Sequence, residues 1–189
     1  MDFFRLATCA APPGGDCSSG ILRWPAGELR VVLLPGRNPA EVATGNRIAP
    51  DLDLAIAEIN RAGSRIFLTR TSEGPAEIRI QPADIREGTS LPDAPGVTGV
   101  GIMGVGYATL MSNQDDQITD SMILLSTDIT DADIPSVVLE ELFQSLGPRY
   151  DVEGQAYEGV SILSQTSNAT TTIAGQDAAL LRWLYPPKP

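Results

Sequence analysis

Residues 137–151, VVLEELFQSLGPRYD, constrain the fold of this chain more than any other segment. Leucine and phenylalanine recur at helical spacing along one side, whereas Glu140 and Gln144 lie one turn apart on the opposite side. Gly147 and Pro148 end the helical pattern, because neither residue favours its continuation. The segment therefore predicts an amphipathic helix, over roughly 134–146, that carries a carboxylate and an amide on its polar face.

The spacing on this polar face is that of a metal site. Two side chains four residues apart on a helix can bind one ion, and a third ligand can follow a glycine turn. The three positions are Glu140, Gln144 and Tyr150, which offer a carboxylate, a neutral amide and a phenol with an ordinary pKa of about 10. These oxygen groups would bind zinc far more weakly than imidazoles, so we expect no metal here. The alternative is that the polar face is ordinary solvated surface.

The composition excludes several kinds of chemistry. The chain of 189 residues contains no histidine, and Lys188 is its only lysine. Catalytic triads with histidine, P-loop phosphate binding and Schiff-base chemistry are therefore excluded. The net charge of −11, from 24 acidic and 13 basic residues, argues against nucleic acids and anionic membranes as partners. No apolar run approaches the length of a membrane span, and no cofactor motif is indicated.

The N-terminal segment 1–27 is rich in glycine, proline, alanine and serine and is expected to be an irregular leader. It holds both cysteines, Cys9 and Cys17. They could close a small disulfide, which would favour a periplasmic or secreted protein, or they could be two free thiols. The sequence at 6–9, LATC, faintly resembles a lipoprotein cleavage site and raises the option of a lipid anchor. The five residues before it are too few for the apolar core of a signal peptide.

Residues 28–189 predict a single domain. Short apolar or alternating runs indicate strands, and apolar residues at helical spacing indicate helices. Strands are expected at 28–34, 65–69, 76–80 and 121–126, the last in the interior of a sheet, and helices at 50–62, 134–146 and 178–185. Pro50 is expected in the first turn of its helix. The pattern predicts an α+β fold in which a mixed, twisted sheet carries an N-terminal-half helix, the 134–146 helix and a C-terminal helix.

Residues 99–104, GVGIMG, match the dinucleotide-binding pattern G-x-G-x-x-G by letter. A loop rather than a strand precedes them, and no helix pattern follows, so the dinucleotide interpretation fails. A glycine-rich loop or irregular edge strand is expected instead. Such a segment would allow an extended peptide to approach the sheet edge.

Together with residues farther along, the 137–151 segment resembles the metzincin-like zincins. Those peptidases carry H-E-x-x-H-x-x-G-x-x-H-D, and this chain is more similar still to an uncharacterised bacterial family with E-E-x-x-Q-x-L-G. The serine-containing stretch 161–164 resembles the methionine turn beneath the metal, with Leu163 at the methionine position. The segment from Asp177 to Tyr185 resembles the helix that closes those domains. The resemblance covers 28–185 and implies a zincin-like fold for the domain.

The resemblance also assigns roles. Glu141 matches the general base of the peptidases, Gly147 the turn glycine and Asp151 the aspartate after the last ligand. Glu140, Gln144 and Tyr150 stand where the histidine ligands would be. Without a metal, water keeps its ordinary acidity and is a poor nucleophile at neutral pH. The resemblance therefore implies a degenerate, non-catalytic domain, or pseudoenzyme, that binds a peptide or protein or joins a larger assembly. The alternative is a hydrolase that uses Glu141 as general base, with an atypical oxygen-ligand metal or none.

Overall fold

The computed structural model describes residues 2–91, 101–166 and 169–188. Within these ranges a five-stranded mixed sheet is accompanied by four helices, which confirms the predicted α+β class. The elements in chain order are α1 (Asp2–Cys9), β1 (Gly27–Leu33), α2 (Pro39–Arg61), β2 (Ile66–Thr71), β3 (Ile78–Ala83), β4 (Gly106–Ser112), β5 (Ile118–Ser126), α3 (Ile134–Gln144) and α4 (Gly175–Leu184).

The strand order β2-β1-β3-β5-β4 places β4 at one edge of the sheet. The pairs β1–β2, β1–β3 and β3–β5 are parallel, and only β4 runs antiparallel to its neighbour β5. The interior position predicted for the 121–126 strand is confirmed, because β5 lies between β3 and β4. Strand β4 was not predicted from the sequence. Of the glycine-rich stretch before it, residues 99 and 100 lie outside the described residues.

Helix α2 is much longer than the predicted 50–62 helix, and Pro50 lies in its interior rather than in its first turn. The helix begins after Asn38, whose side chain accepts a hydrogen bond from the Glu41 backbone N–H at 2.9 Å. Pro39 occupies the first-turn position where proline is favoured. A buried face that includes Ile48 and Leu52 continues across Pro50, so packing maintains the helix through a residue that breaks helical hydrogen bonding.

The expectation of an irregular leader needs correction, because residues 2–9 form α1 and pack on the domain. Phe3 and Ala7 are buried in the core, and the Phe3 ring lies 5.5 Å from that of Tyr157. Cys9 and Cys17 form a disulfide, which resolves the alternatives for this pair. Helix α1 is thus held on the domain by apolar packing, and the disulfide closes a loop within the N-terminal segment.

Helix α3 is fixed in the core by its apolar side, as the amphipathic pattern predicted. Leu139, Leu142 and Phe143 are at most 1% exposed. The chain just after α3 is held by Tyr185, whose hydroxyl donates to the Leu146 carbonyl at 2.6 Å and accepts from the Trp24 backbone N–H at 3.0 Å. These contacts set the position of the polar side of α3 relative to the sheet edge. Of the helices in the described part of the chain, none combines the length and apolarity that a membrane span requires.

Candidate functional site

A cleft of about 600 Å³ lies between the edge strand β4 and the polar side of α3. A narrower pocket of about 180 Å³ extends it along β4 towards Arg149. Helix α3 contributes Val137, Glu140, Glu141 and Gln144 to the wall, and residues 104–108 form the opposite side; Glu87, Ile102, Arg149, Asp151, Ser164 and Gln165 complete the lining. The cleft therefore contains four of the residues that the sequence singled out, Glu140, Glu141, Gln144 and Asp151.

Glu141 is the most unusual of these residues because its carboxyl group is buried, with 7% exposure. Its carboxyl accepts a hydrogen bond from the Ala108 backbone N–H on β4, and its Oε2 atom has no hydrogen-bond partner. Burial raises the pKa of Glu141 well above its usual range, and the charges of Glu140 and Asp151 raise it further. The Glu141 carboxyl is therefore harder to ionise than an exposed glutamate.

Gln144 and Asp151 form a pair beside Glu141. The Gln144 Nε2 atom donates to Asp151 Oδ1 at 2.7 Å. Burial raises the pKa of Asp151, and this hydrogen bond partly offsets the rise. Four of the residues predicted for the site, including Glu140, are thus brought together on one wall of the cleft.

Tyr150 does not join them, contrary to the expectation from spacing. Its hydroxyl is hydrogen-bonded to Ser19 Oγ at 3.0 Å, and its backbone N–H donates to the Ala7 carbonyl at 3.0 Å. The turn at Gly147 directs the tyrosine to the N-terminal segment rather than to the cleft. No local pattern indicates this, because Ser19 lies 131 residues away in the chain.

Gly147 and Leu163 support the site without lining it. Gly147 has φ of +119°, a conformation that side-chain-bearing residues rarely adopt. Leu163 is fully buried and sits in a turn organised by Asp177. The Asp177 carboxylate accepts hydrogen bonds from Ser161 Oγ at 2.8 Å and from the Ile162 N–H at 3.0 Å. The stretch that resembles a methionine turn is therefore a tightly hydrogen-bonded turn in the core.

Arg149, Gly106 and Ala108 also contribute to the cleft, and none of the three was predicted from the sequence. The Arg149 Nη2 atom donates to Ser19 Oγ and to the Gly20 carbonyl, each at 2.8 Å. Gly106 leaves room for the Glu141 side chain, because a Cβ atom there would collide with it. Gly106 and Ala108 lie on β4, so recognition of this strand in the sequence would have indicated that they face the site.

The donor groups of the cleft do not fit a zinc site. Zinc in proteins is bound by imidazole, thiolate and carboxylate groups in a tetrahedral arrangement, and Tyr150, which stands at the third ligand position, is engaged with Ser19. Gln144 at the second position is a neutral amide that contacts Asp151. Within the described ranges no three acidic or cysteine side chains are grouped so that they could hold a metal ion.

A family profile matches residues 21–188, which is most of the chain. The chain belongs to the family described as "Protein of unknown function (DUF2927)". Among solved structures, this DUF2927 chain is similar to the crystal structure of myroilysin, with 14% identity and a TM-score of 0.52. The match covers 88% of this chain and 87% of myroilysin. At this identity the likeness establishes the zincin-like fold alone. No curated protein sequence matches the chain.

Proposed function

We propose that this chain is a non-catalytic zincin-like domain that binds an extended peptide or protein segment in the cleft between β4 and α3. The observation that carries the proposal is the set of donor groups at the former ligand positions: Gln144 is an amide that donates to Asp151, and the Tyr150 hydroxyl is hydrogen-bonded to Ser19. These groups supply neither imidazole nor thiolate to hold a zinc ion that would activate water. Without a metal, a single carboxylate is a weak activator of water at neutral pH, which disfavours a hydrolase that uses Glu141 as a base without a metal.

The edge strand β4 supports the binding role. Among the described strands β4 pairs with β5 alone. On its other side the Ala108 N–H donates to Glu141, and an edge strand can pair with an added extended segment. The cleft volume of about 600 Å³ is within the range typical of ligand sites. A segment laid along β4 would contact the polar side of α3 on its other flank.

We further propose that the domain acts in an oxidising compartment, the periplasm or the exterior of the cell, as part of a larger assembly or on its own. The Cys9–Cys17 disulfide supports this location, because disulfides persist mainly outside the reducing cytosol. The partner would then be an exported or surface protein.

The purified chain should show no stoichiometric, tight zinc binding in isothermal titration at neutral pH, because its donor set lacks imidazole and thiolate ligands. A variant with Glu140 and Gln144 replaced by histidine serves as the comparison, because both positions line the cleft together with the Asp151 carboxylate and would supply three zinc donors. Stoichiometric zinc binding by the natural chain that is lost in Glu140→Gln would contradict the proposal and favour an oxygen-ligand metalloenzyme.

Filling the cleft should weaken partner binding. Gln144 lines both parts of the cleft, so Gln144→Trp should weaken capture of a peptide ligand at least about tenfold, roughly the 1–2 kcal/mol of a lost interface contact. Gln155→Trp introduces the same side chain at an exposed position that does not line the cleft. Fluorescence polarisation with a labelled peptide measures both. Equal affinities for the two variants would show that the ligand binds elsewhere.

A further inference from the structure

The wall of the cleft is unevenly charged. Glu87, Glu140 and Asp151 line its wider part, and Arg149 is the one basic residue among the described lining residues. The Arg149 guanidinium already donates to Ser19 and Gly20 and lies 5.3 Å from the centre of the Tyr150 ring. Among the described residues, neither Glu87 nor Asp151 takes part in an ion pair. The wider part of the cleft is therefore acidic, and two of its carboxylates, Glu87 and Asp151, have no ion-pair partner among the described residues.

Glu141 provides an independent sign that this acidic region receives a ligand. More than nine-tenths of this residue is buried, it lines the same part of the cleft, and its Oε2 atom has no hydrogen-bond partner. Buried polar atoms are rarely left unpaired in folded proteins, because each costs about 1–3 kcal/mol. A polar group entering the cleft would complete the hydrogen bonding of Glu141.

We infer that the acidic region formed by Glu87, Glu140 and Asp151 binds a lysine or arginine side chain of the segment that occupies the cleft. This inference rests on the proposed function and specifies the chemistry of its ligand. Ammonium and guanidinium groups only donate hydrogen bonds, and carboxylate oxygens only accept them, so the two sets of groups are complementary. The cationic head can donate to Asp151 and, deeper in the cleft, to Glu141 Oε2.

A basic side chain explains the region better than a bound metal does. The acidic residues of the described chain are not grouped closely enough to hold a metal ion, whereas a long flexible side chain can reach carboxylates that are spread along a wall. The net charge of −11 would also accelerate the approach of a basic partner.

The inference is tested by selecting binders from a random heptapeptide display library on the immobilised full chain. We expect lysine or arginine to be enriched at one position of the selected peptides. One selected peptide is then synthesised with its basic residue and with glutamine in its place. The glutamine analogue should bind at least about tenfold more weakly at low salt, as expected for a charge-assisted contact, and the difference should shrink at high salt.

Charge-neutral variants assign the effect to the acidic region. Glu140→Gln combined with Asp151→Asn should weaken binding of the basic peptide about tenfold and leave the glutamine analogue nearly unchanged. The matched control is Glu73→Gln combined with Asp115→Asn, two exposed acidic residues outside the cleft, which removes the same charge and should change neither affinity.

The outcomes separate this inference from the proposed function. Selected peptides without a basic preference, or variants that affect both peptides equally, would overturn the inference while leaving peptide binding in the cleft intact. A library that yields no binder of the natural chain would overturn both. A loss of affinity in the Glu73 and Asp115 control equal to that in the cleft variant would show that net charge alone attracts the peptide, and would also overturn the inference.

Discussion

Replacing Asp177 by alanine should lower the free energy of unfolding by about 3 kcal/mol, because two buried hydrogen bonds lose their acceptor and each orphaned donor costs about 1–3 kcal/mol. Asp177 is fully buried, and its carboxylate accepts from Ser161 Oγ and from the Ile162 N–H. The same turn positions Leu163 in the core. Urea denaturation followed by circular dichroism measures the change.

Asp177→Asn is the matched control for this prediction. The amide keeps the shape of the side chain and one acceptor oxygen, so about half of the loss should remain, on the order of 1–2 kcal/mol. Ser161→Ala removes the hydroxyl, which accepts from the Leu163 N–H at 3.2 Å and donates to Asp177. If Asp177→Ala unfolds at the same urea concentration as the natural chain, the turn does not depend on this carboxylate.

The elements that could be predicted from the sequence are those whose own residues favour them. Helix α3 was predicted because its apolar side chains recur at helical spacing and Gly147 ends the pattern. Strand β5 was predicted because a continuous apolar run is typical of a strand buried on both faces. In both cases the apolar side chains whose burial stabilises the element lie close together in the sequence.

The elements that could not be predicted depend on distant partners. Strand β4 begins at Gly106 and has a mostly half-exposed, irregular pattern, so its hydrogen bonds to β5 define it more than its composition does. Helix α1 is short, and packing of Phe3 on the core stabilises it rather than its propensity. The first half of α2 was not predicted, because Pro50 was expected in the first turn of a helix. In the structure Pro50 lies inside α2, where packing tolerates it.

The candidate site shows the same division. Helical spacing correctly placed Glu140 and Gln144 on the cleft side of α3. The same spacing suggested Tyr150 as a third member, but the path of the chain after Gly147 is set by contacts with Ala7 and Ser19. The burial of Glu141 was also beyond the sequence, because it depends on a glycine in the unrecognised strand opposite.

Replacing Gly106 by alanine should therefore destabilise the fold by about 1–3 kcal/mol, the usual cost of overpacking a buried site. The added Cβ atom would collide with the Glu141 side chain, whose Oε1, Cγ and Cδ are the three nearest atoms. In a Glu141→Ala background these atoms are absent, so Gly106→Ala should cost almost nothing. A double-mutant cycle from urea denaturation measures the coupling between the two positions.

Gly45→Ala is the control for this cycle. Gly45 lies in α2, and a Cβ atom there would make only an ordinary 3.4 Å contact with Pro82, away from the cleft. The effect of Gly45→Ala on the free energy of unfolding should therefore be the same with and without Glu141. Additive costs for Gly106→Ala and Glu141→Ala would mean that the strand does not need a glycine to admit the carboxyl. A coupling of 1 kcal/mol or more, by contrast, is what contact between the two positions predicts. It would mean that β4 is shaped around a buried acid, in a cleft whose other donors do not suit zinc.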